Sequence, residues 1–303
     1  MVNYNSKPEL RAFLEERGLG MRKKYGQNFL INPAARSALL DALQSAHGSR
    51  VWEIGPGLGA MTAGLLERGA HVTAFEIDPA FAGIMRESFG QDSSFRLIEG
   101  DVFKTWPVHA ETAPADELFL LGNLPYNIAA ALLADFIEKG RFFKRIVVTV
   151  QREVALRMCA SQGSKDYSSF SLLCSSAYKV TPLSVIKASS FYPAPRVDSQ
   201  GVRMDLLSDR GKLPALFYPL VRSLFSSRRK TIRNTLSAFA SSVIIKAGLS
   251  AQGLSNTAKT AREAAEDILG RAAISGERRP ETLGFDEFAV LASLLEETVS
   301  DGR

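Results

Sequence analysis

The chain has 303 residues, 23% charged and 46% hydrophobic, which excludes extensive disorder and is enough for one large and one small domain. Its formal net charge of +5 leans toward an anionic partner without defining one. The two cysteines and three histidines are scattered, so no metal site is expected. No stretch approaches about 18 apolar residues and the first residues are polar, which predicts a cytoplasmic protein without a membrane span or signal peptide.

Residues 1–45 are predicted to form a helical extension. One helix begins after Ser6, and a second begins after Asn32, which a proline follows. The segment between the two helices carries three basic residues, Arg22, Lys23 and Lys24. So short a charged run is usually solvated surface, but the polar turn behind it, at residues 26–30, contains an aromatic ring and favours a binding function.

A glycine-rich turn follows the first predicted strand of the sheet. Residues 51–54 form a short apolar strand, and Gly55-Pro56-Gly57-Leu58-Gly59 leads from it into a helical pattern. Strand, glycine turn and helix together open a Rossmann-like unit. The third glycine comes one residue too early for the G-x-G-x-x-G fingerprint of dinucleotide binding, which argues against NAD or FAD.

A glycine or a polar residue follows each of four consecutive predicted strands. These residues are Gly55, Glu76, Asp101 and Asn123, separated from one another by about one strand–helix–strand step. Right-handed crossovers bring the carboxyl ends of parallel strands to one edge, so the four residues are expected to line one crevice. Each of them alone could simply cap the next helix, but four in phase favour a ligand site.

The turn at residues 122–128 is the central feature of this edge. It lies between a buried strand and a helix, and it contains Asn123, Pro125 and Tyr126. The turn therefore offers an amide, backbone carbonyls beside a proline, and an aromatic face. These groups suit a flat ring that carries an amino group.

The elements after this turn complete the sheet. Residues 146–150 are predicted to form a fifth strand, residues 183–186 and 202–206 a sixth and a seventh, and residues 170–178 a helix. The aromatic and proline-rich stretch at residues 191–198 is expected to be a rigid loop. The predicted fold class is therefore α/β.

A linker is predicted at residues 208–212, and only helical patterns follow it. The start of one of these helices carries four basic residues, Arg228, Arg229, Lys230 and Arg233. The helix macrodipole disfavours cations at that position. The run is therefore either a solvated face or a surface that binds a polyanion.

Seven motifs, in this order along the chain, resemble those of a known family. They are Gly26-Gln27-Asn28-Phe29-Leu30, Glu53-Ile54-Gly55-Pro56-Gly57-Leu58-Gly59, Glu76-Ile77-Asp78, Gly100-Asp101, Asn123-Leu124-Pro125-Tyr126-Asn127-Ile128, the stretch from Phe191 to Ser199, and Arg228-Arg229-Lys230-Thr231-Ile232-Arg233-Asn234. From about Lys23 to Leu294 the sequence resembles the small-subunit ribosomal RNA adenine N6-dimethyltransferases, the KsgA/RsmA type. The Asn-Leu-Pro-Tyr turn narrows the chemistry from methyl transfer in general to methylation of an amino group.

The resemblance implies a class I Rossmann-like methyltransferase with a mostly parallel seven-stranded sheet over residues 1–208. A small all-helical C-terminal domain, residues 212–303, is expected to bind RNA. The two basic runs would then hold the RNA backbone, through Arg22, Lys23, Lys24, Arg228, Arg229, Lys230 and Arg233.

The cofactor that the resemblance implies is S-adenosyl-L-methionine, without a metal. It is expected to contact Asn28, Leu30, Gly55, Glu76, Asp101 and Asn123. Gly55 would let the backbone approach its methionine part, Glu76 would accept hydrogen bonds from the ribose hydroxyls, and Asp101 would accept from the adenine amino group.

Catalytic roles are implied for Asn123, Leu124, Pro125, Tyr126 and Phe191. An adenine amino nitrogen is a weak nucleophile because its lone pair is delocalised into the ring. The Asn123 side-chain oxygen and a backbone carbonyl near Leu124 and Pro125 would accept the two amino hydrogens and turn the lone pair toward the methyl donor. Tyr126 and Phe191 would stack on the extruded base, each contributing roughly 1–3 kcal/mol.

The implied activity is dimethylation of two adjacent adenosines near the 3′ end of 16S ribosomal RNA, within a 30S subunit or its precursor, by a monomer. Three alternatives remain: a resistance-type dimethyltransferase of large-subunit RNA, an RNA-binding assembly factor without catalysis, and a nicotinamide dehydrogenase. The longer C-terminal domain and Leu124 favour the small-subunit type. The intact Asn-Leu-Pro-Tyr turn argues against the second alternative, and the glycine spacing argues against the third.

Overall fold

The computed structural model describes residues 3–19, 27–109, 117–208, 212–246 and 254–301. Contacts divide the chain into two compact units, one formed by Met1–Cys159 and Ala177–Leu207 and the other by Ala160–Ser176 and Ser208–Arg303. The first is an α/β unit and the second is helical. None of the helices in the described ranges has the length and apolar character needed to cross a bilayer.

The α/β unit contains nine strands and seven helices among the described residues. Its strands are β1 (Phe29–Leu30), β2 (Arg50–Ile54), β3 (His71–Glu76), β4 (Phe95–Glu99), β5 (Leu118–Asn123), β6 (Arg145–Gln151), β7 (Tyr178–Ile186), β8 (Phe191–Tyr192) and β9 (Ser199–Leu206). Its helices are α1 (Lys7–Glu16), α2 (Pro33–Leu43), α3 (Ala60–Glu67), α4 (Pro79–Phe89), α5 (Val102–Thr105), α6 (Ala129–Glu138) and α7 (Arg152–Met158).

Seven of these strands form one sheet in the order β4-β3-β2-β5-β6-β9-β7. The first five run parallel, and β9 pairs antiparallel with both β6 and β7. The mostly parallel seven-stranded sheet is therefore confirmed. The chain proceeds from β2 toward β4 on one side and continues from β5 on the other, so the carboxyl ends of β2 and β5 flank the point where the strand order reverses. Open α/β sheets bind ligands at that point.

A second, two-stranded sheet joins distant parts of the chain. Strand β1 pairs antiparallel with β8, with Phe29 opposite Tyr192 and Leu30 opposite Phe191. The prediction that residues 191–198 form a loop throughout is thus wrong for the first two residues. Their backbone partners lie about 160 positions earlier, a distance that local sequence patterns do not report. The Tyr192–Pro193 peptide that follows is cis.

Helix α1 packs at the carboxyl edge of the large sheet. Ser6 caps the helix, and a proline occupies its first turn. Leu10 and Leu14 are buried in one cluster with Leu58 of the glycine turn and Phe81 of α4. The N-terminal extension therefore contributes a wall to the region where the sheet ends.

The helical unit contains α8 (Ser169–Ala177, except its last residue), α9 (Phe217–Phe225), α10 (Ile232–Lys246), α11 (Leu254–Arg271) and α12 (Phe285–Asp301). Residues 160–176 belong to it by their contacts, whereas the sequence division placed them in the first domain. Tyr167 and Leu172 explain this, because both are buried in the helical core and the Tyr167 hydroxyl donates to the Leu283 carbonyl at 3.1 Å.

Helix α10 begins later than the sequence indicates. The predicted start lay at Arg228, but the helix begins at Ile232, and Arg228, Arg229 and Lys230 form an exposed turn before it. The Ile232 amide donates to the Arg278 carbonyl at 2.8 Å, a contact between distant parts of the chain. The three cations therefore lie ahead of the helix rather than within its first turn. This three-residue segment is called the basic turn below.

Candidate active site

The carboxyl ends of four parallel strands line one cavity of ≈ 300 Å³. Gly55, Glu76, Asp101 and Asn123, which the sequence places after consecutive strands, all contribute to its lining. Asn28 and Leu30 close it from the N-terminal side. A cavity of this size at the strand-order reversal can take a small organic ligand.

The glycine turn is fixed by its backbone geometry. Gly55 has a φ of 68°, in the left-handed region that favours glycine, and its amide donates to the Phe75 carbonyl at 2.9 Å. Gly57 also has a positive φ, and a Cβ there would lie 2.8 Å from the Phe29 ring. The backbone of the glycine turn can therefore lie directly beside both the cavity and β1.

Glu76 ends β3 with its carboxylate almost fully enclosed. The residue is 5% exposed and lines the cavity. Its two oxygens accept backbone hydrogen bonds, from Gly57 at 3.2 Å and from Asp78 at 2.9 Å. Burial raises the pKa of Glu76 to about 7, and the backbone donors oppose that rise only in part.

Glu53 is a second buried carboxylate of the cavity; the sequence placed it in the glycine-turn motif but not among the residues expected to contact the cofactor. It is 2% exposed, lines the cavity, and accepts a hydrogen bond from the Thr62 hydroxyl at 2.6 Å. Burial raises the pKa of Glu53 to about 7. The available signal was an acidic residue inside an otherwise apolar strand, immediately before Ile54 and the glycine turn.

The N-terminal extension supplies further lining residues that were not predicted. Tyr4 and Leu10 both face the cavity. Ile77 lines it as well and is one of the large apolar side chains that stay exposed. An apolar residue directly after Glu76 was visible in the sequence, whereas its exposure is a feature of the folded structure and the approach of Tyr4 and Leu10 depends on how α1 packs.

Asp101 has both of the roles that the sequence left open. One of its carboxylate oxygens accepts from the Phe103 amide at 3.0 Å and so caps α5. The residue also lines the cavity. Capping fixes the side chain, so that its carboxylate is held in place at the cavity wall.

The turn after β5 is held by a close approach and by backbone bonds. A Cβ on Gly122 would lie 2.7 Å from a Leu124 methyl and 3.3 Å from the Ile54 carbonyl oxygen, so a larger residue there would displace the buried Leu124 side chain. The Leu124 amide donates to the Thr149 carbonyl at 3.2 Å. The Pro125 carbonyl accepts from the Ile128 and Ala129 amides, both at 3.1 Å, and so starts α6.

The Asn123 side chain has a defined orientation. Its Nδ2 donates to the Asn28 backbone carbonyl at 2.7 Å. Since only the amide nitrogen can donate to a carbonyl, this bond turns the Asn123 Oδ1 away from Asn28. Within the part of the chain that the structure describes, no donor reaches the Leu124 carbonyl oxygen. The turn therefore offers two acceptors, Asn123 Oδ1 and Leu124 O.

Tyr126 and Phe191, the two rings predicted to stack on a base, have different surroundings. Tyr126 is half-buried in the turn, and its hydroxyl lies 2.6 Å from the Ser199 hydroxyl. Phe191 is 0% exposed and packs in a core cluster with Leu30 and Leu39. Its ring has no free face, so the stacking prediction for Phe191 does not fit this structure.

The predicted RNA-binding residues fall into three groups. Arg22, Lys23 and Lys24 lie outside the described residues. The basic turn is exposed, and Arg228 donates to the Lys165 carbonyl at 3.3 Å. Arg233 forms ion pairs with Glu266, at 2.7 Å, and with Glu277. Its charge is already neutralised locally, which makes Arg233 a poor candidate for a phosphate contact.

The lining of the cavity decides what kind of ligand it suits. Among the lining residues in the described ranges none is basic, whereas Glu53, Glu76 and Asp101 are acidic. Such a cavity favours a cation and disfavours a phosphate-bearing nucleotide. In the same part of the chain, no cluster of three potential metal ligands occurs.

The chain is similar to known proteins over most of its length. A model of the ribosomal RNA adenine dimethylase family matches residues 18–274. The chain is 42% identical over 298 residues to the ribosomal RNA small subunit methyltransferase A of Treponema pallidum, a match that covers 97% of both chains. It is 37% identical over 294 residues to the protein of that name from Borreliella burgdorferi, covering 97% of this chain and 95% of the relative.

A solved structure is similar in fold. A dimethyladenosine transferase from Plasmodium falciparum superposes with a TM-score of 0.69 at 24% identity, covering 86% of this chain and 94% of that one. The α/β unit, with its mostly parallel seven-stranded sheet, has the class I Rossmann-like methyltransferase fold.

Proposed function

The chain belongs to the ribosomal RNA adenine dimethylase family, and on that premise we propose that it dimethylates two adjacent adenosines near the 3′ end of small-subunit ribosomal RNA. The methyl donor is S-adenosyl-L-methionine, and the product is N6,N6-dimethyladenosine. The relatives named as small-subunit methyltransferases, which match over 97% of this chain, support that substrate over large-subunit RNA. We place the reaction on a 30S subunit or its precursor, late in assembly.

The observation that carries the proposal is the orientation of Asn123 beside an acidic cavity. The bond from Nδ2 to the Asn28 carbonyl leaves Oδ1 as an acceptor at the end of β5. Leu124 O is the second acceptor, because the Pro125 carbonyl already binds two amides at the start of α6. Two fixed acceptors match the two hydrogens of an adenine amino group.

The residues of the cavity fit S-adenosylmethionine. Glu76 would accept from the ribose hydroxyls and Asp101 from the adenine amino group, while the apolar Ile77 would contact the ring. When bound, the cofactor supplies a methyl group on a positively charged sulfur. Glu53 would add to the negative potential that favours this cation, and the absence of basic side chains among the described lining residues spares the cavity a repulsive charge.

Asn123 Oδ1 and Leu124 O would orient the target nitrogen. By accepting its two hydrogens they turn the lone pair out of conjugation and toward the methyl donor, so that the barrier is lowered mainly by positioning. No strong base is required, because the alkylated nitrogen is acidic and releases its proton to water. Tyr126 would stack on the base, which must leave its own stack to be reached, for a gain of roughly 1–3 kcal/mol.

The basic turn would attract the RNA backbone. Arg228, Arg229 and Lys230 are exposed and can neutralise phosphates, which releases counterions and makes binding depend on salt. The corresponding role of Arg22, Lys23 and Lys24 stays a prediction. The monomeric state and the cytoplasmic location also stay predictions, which sedimentation and fractionation would check.

A labelled-methyl transfer assay tests the proposed function. Undermethylated small subunits, large subunits and naked small-subunit RNA are incubated with the enzyme, and the nucleosides of each RNA are analysed. Small subunits should accept methyl groups and yield N6,N6-dimethyladenosine. Methylation of large subunits instead would establish the resistance-type activity, and binding without transfer would leave the non-catalytic assembly role.

A further inference from the structure

The Tyr126 ring is tied to a distant part of the sheet. Its hydroxyl lies 2.6 Å from the hydroxyl of Ser199, 73 residues along the chain. Either atom can donate, and burial raises the pKa of Tyr126, so its hydroxyl stays protonated in the neutral range. The bond thus joins the turn after β5 to the first residue of β9.

Ser199 is a rigid anchor for that ring. It is 0% exposed and pairs with Gln151 of β6 on one side and with Ile186 of β7 on the other. The residue before it, Asp198, accepts the Arg152 amide at 3.1 Å through its own carbonyl. Strands on both sides of Ser199 hold its backbone in place and so restrict the position of its hydroxyl. Tyr126 lies in a turn, and its side chain has two rotatable bonds.

We propose that Ser199 is a positioning residue that fixes the plane of the Tyr126 ring, and through it the plane of the target adenine, chiefly for the second methyl transfer. This inference rests on the proposed function. In the first transfer the amino group has two hydrogens, so Asn123 Oδ1 and Leu124 O orient it together. The monomethylated group has one hydrogen and can donate to one acceptor only.

The second transfer therefore depends more on the stacked ring. Each transfer forms one N–C bond, breaks one S–C bond and releases one amino proton, so the chemistry is the same in both. What differs is the number of hydrogen bonds that orient the nitrogen. A Tyr126 ring that is free to tilt should thus slow the second step more than the first, and N6-monomethyladenosine should accumulate.

Three variants that break the hydroxyl pair, and a fourth that keeps a hydroxyl, test the inference on undermethylated small subunits in single-turnover reactions. Ser199→Ala removes the anchor, Tyr126→Phe removes the same bond from the other side while keeping the ring, and the double variant removes both hydroxyls. Each should lower the ratio of dimethylated to monomethylated adenosine by about fivefold, the change that one typical net hydrogen bond produces. The double variant should match the single ones, and Ser199→Thr, which keeps a hydroxyl, should restore much of the ratio.

Ser176→Ala is the matched control, because it removes a similar serine–tyrosine hydroxyl pair, Ser176 with Tyr218 at 3.0 Å, from the helical unit. It should leave the product ratio unchanged. A wild-type ratio of dimethylated to monomethylated adenosine in Tyr126→Phe would overturn the inference, and so would effects that multiply in the double variant. If Ser199→Ala does not fold, the result for Tyr126→Phe alone decides. Failure of the wild-type enzyme to methylate adenosine would instead reject the proposed function.

Discussion

The cavity at the sheet edge and the basic turn hold their charged and polar groups in opposite ways. In the cavity, both oxygens of Glu76 accept backbone amides, and the Asn123 amide is bound to the Asn28 carbonyl. In the basic turn, the side chains of Arg228, Arg229 and Lys230 are exposed. The first arrangement fixes direction, which a transfer reaction needs, whereas the second supplies charge, which is sufficient for attraction to a phosphate backbone.

The sharpest way to break this comparison is to shift the catalytic turn without removing a polar group. Gly122→Ala places a methyl 2.7 Å from a Leu124 methyl and 3.3 Å from the Ile54 carbonyl oxygen, so the buried Leu124 side chain must shift, and we expect the turn that carries Asn123 to shift with it. We expect kcat to fall by about 100-fold, the typical cost of displacing reacting groups by about 1 Å. Gly83→Ala is the control, because its Cβ in α4 would meet open space, and it should keep full activity. Full activity in Gly122→Ala would mean that orientation is not limiting.

Protonation removes the charge of Glu76 without changing the shape of the cavity. The pH dependence of cofactor binding therefore tests the role assigned to Glu76. Because the pKa of Glu76 is about 7, its carboxylate becomes protonated below neutrality and loses acceptor capacity. We expect the affinity for S-adenosylmethionine to fall by about tenfold between pH 8 and pH 6. Glu76→Gln should bind weakly at pH 8 and keep only the smaller pH dependence that the charge of Glu53 contributes, whereas the exposed Glu67→Gln should behave like the wild type. Calorimetric titration with S-adenosylmethionine at the two pH values measures these affinities. If Glu76→Gln had the same pH dependence as the wild type, Glu76 would not be the group that binds the ribose hydroxyls.

The basic turn should respond to charge and not to geometry. Replacing Arg228, Arg229 and Lys230 by alanine should reduce the dependence of log affinity on log salt by roughly 0.7–0.9 for each phosphate that is no longer neutralised. Replacing the two arginines by lysine should preserve the slope. Arg233→Ala should change it little, because Glu266 and Glu277 already neutralise that residue. If all variants had the same slope of log affinity against log salt, the basic turn would be a solvated surface that neutralises no phosphates.

The smallest expected effect is a pH dependence of folding stability, which comes from the buried Glu53. Its pKa is about 7 in the folded chain against an ordinary value of 4.5, so the folded state binds more protons in between. The free energy of unfolding therefore declines as pH rises through that window. The Glu53→Gln variant has no carboxyl group at this position to titrate, so it should not show this decline. Its Tm relative to that of the wild type should therefore be higher at pH 8 than at pH 5. A Tm difference that is the same at both pH values would contradict the raised pKa.

The sequence predicted the parts of the site that local pattern controls. Strand and helix periodicity placed Gly55, Glu76, Asp101 and Asn123 in phase, and the right-handed crossover rule then put them at one edge. The structure brings all four to one cavity. The acidic nature of that cavity depends also on Glu53, whose burial follows from its position inside β2 and could have been inferred from its apolar neighbours.

Features that depend on distant contacts could not be predicted in this way. Strand β8 forms because Phe191 and Tyr192 find partners in β1, and α10 begins at Ile232 because of the Arg278 carbonyl. Residues 160–176 join the helical unit through the burial of Tyr167. The same pairing that creates β8 buries Phe191, which is why its suitability for stacking could not be judged from its side chain alone.

The central claim is that Asn123 orients the target amine, and that its predicted contact with the cofactor contributes little to cofactor affinity. Its most direct test measures two quantities on one sample of Asn123→Ala: the affinity for S-adenosylmethionine and methyl transfer to undermethylated small subunits. Asn127→Ala, an exposed asparagine of the same turn, is the matched control. We expect Asn123→Ala to bind the cofactor within a few-fold of the wild type and to lose transfer by about 100- to 1,000-fold, with Asn127→Ala close to normal in both. Transfer at the wild-type rate by Asn123→Ala would contradict the account.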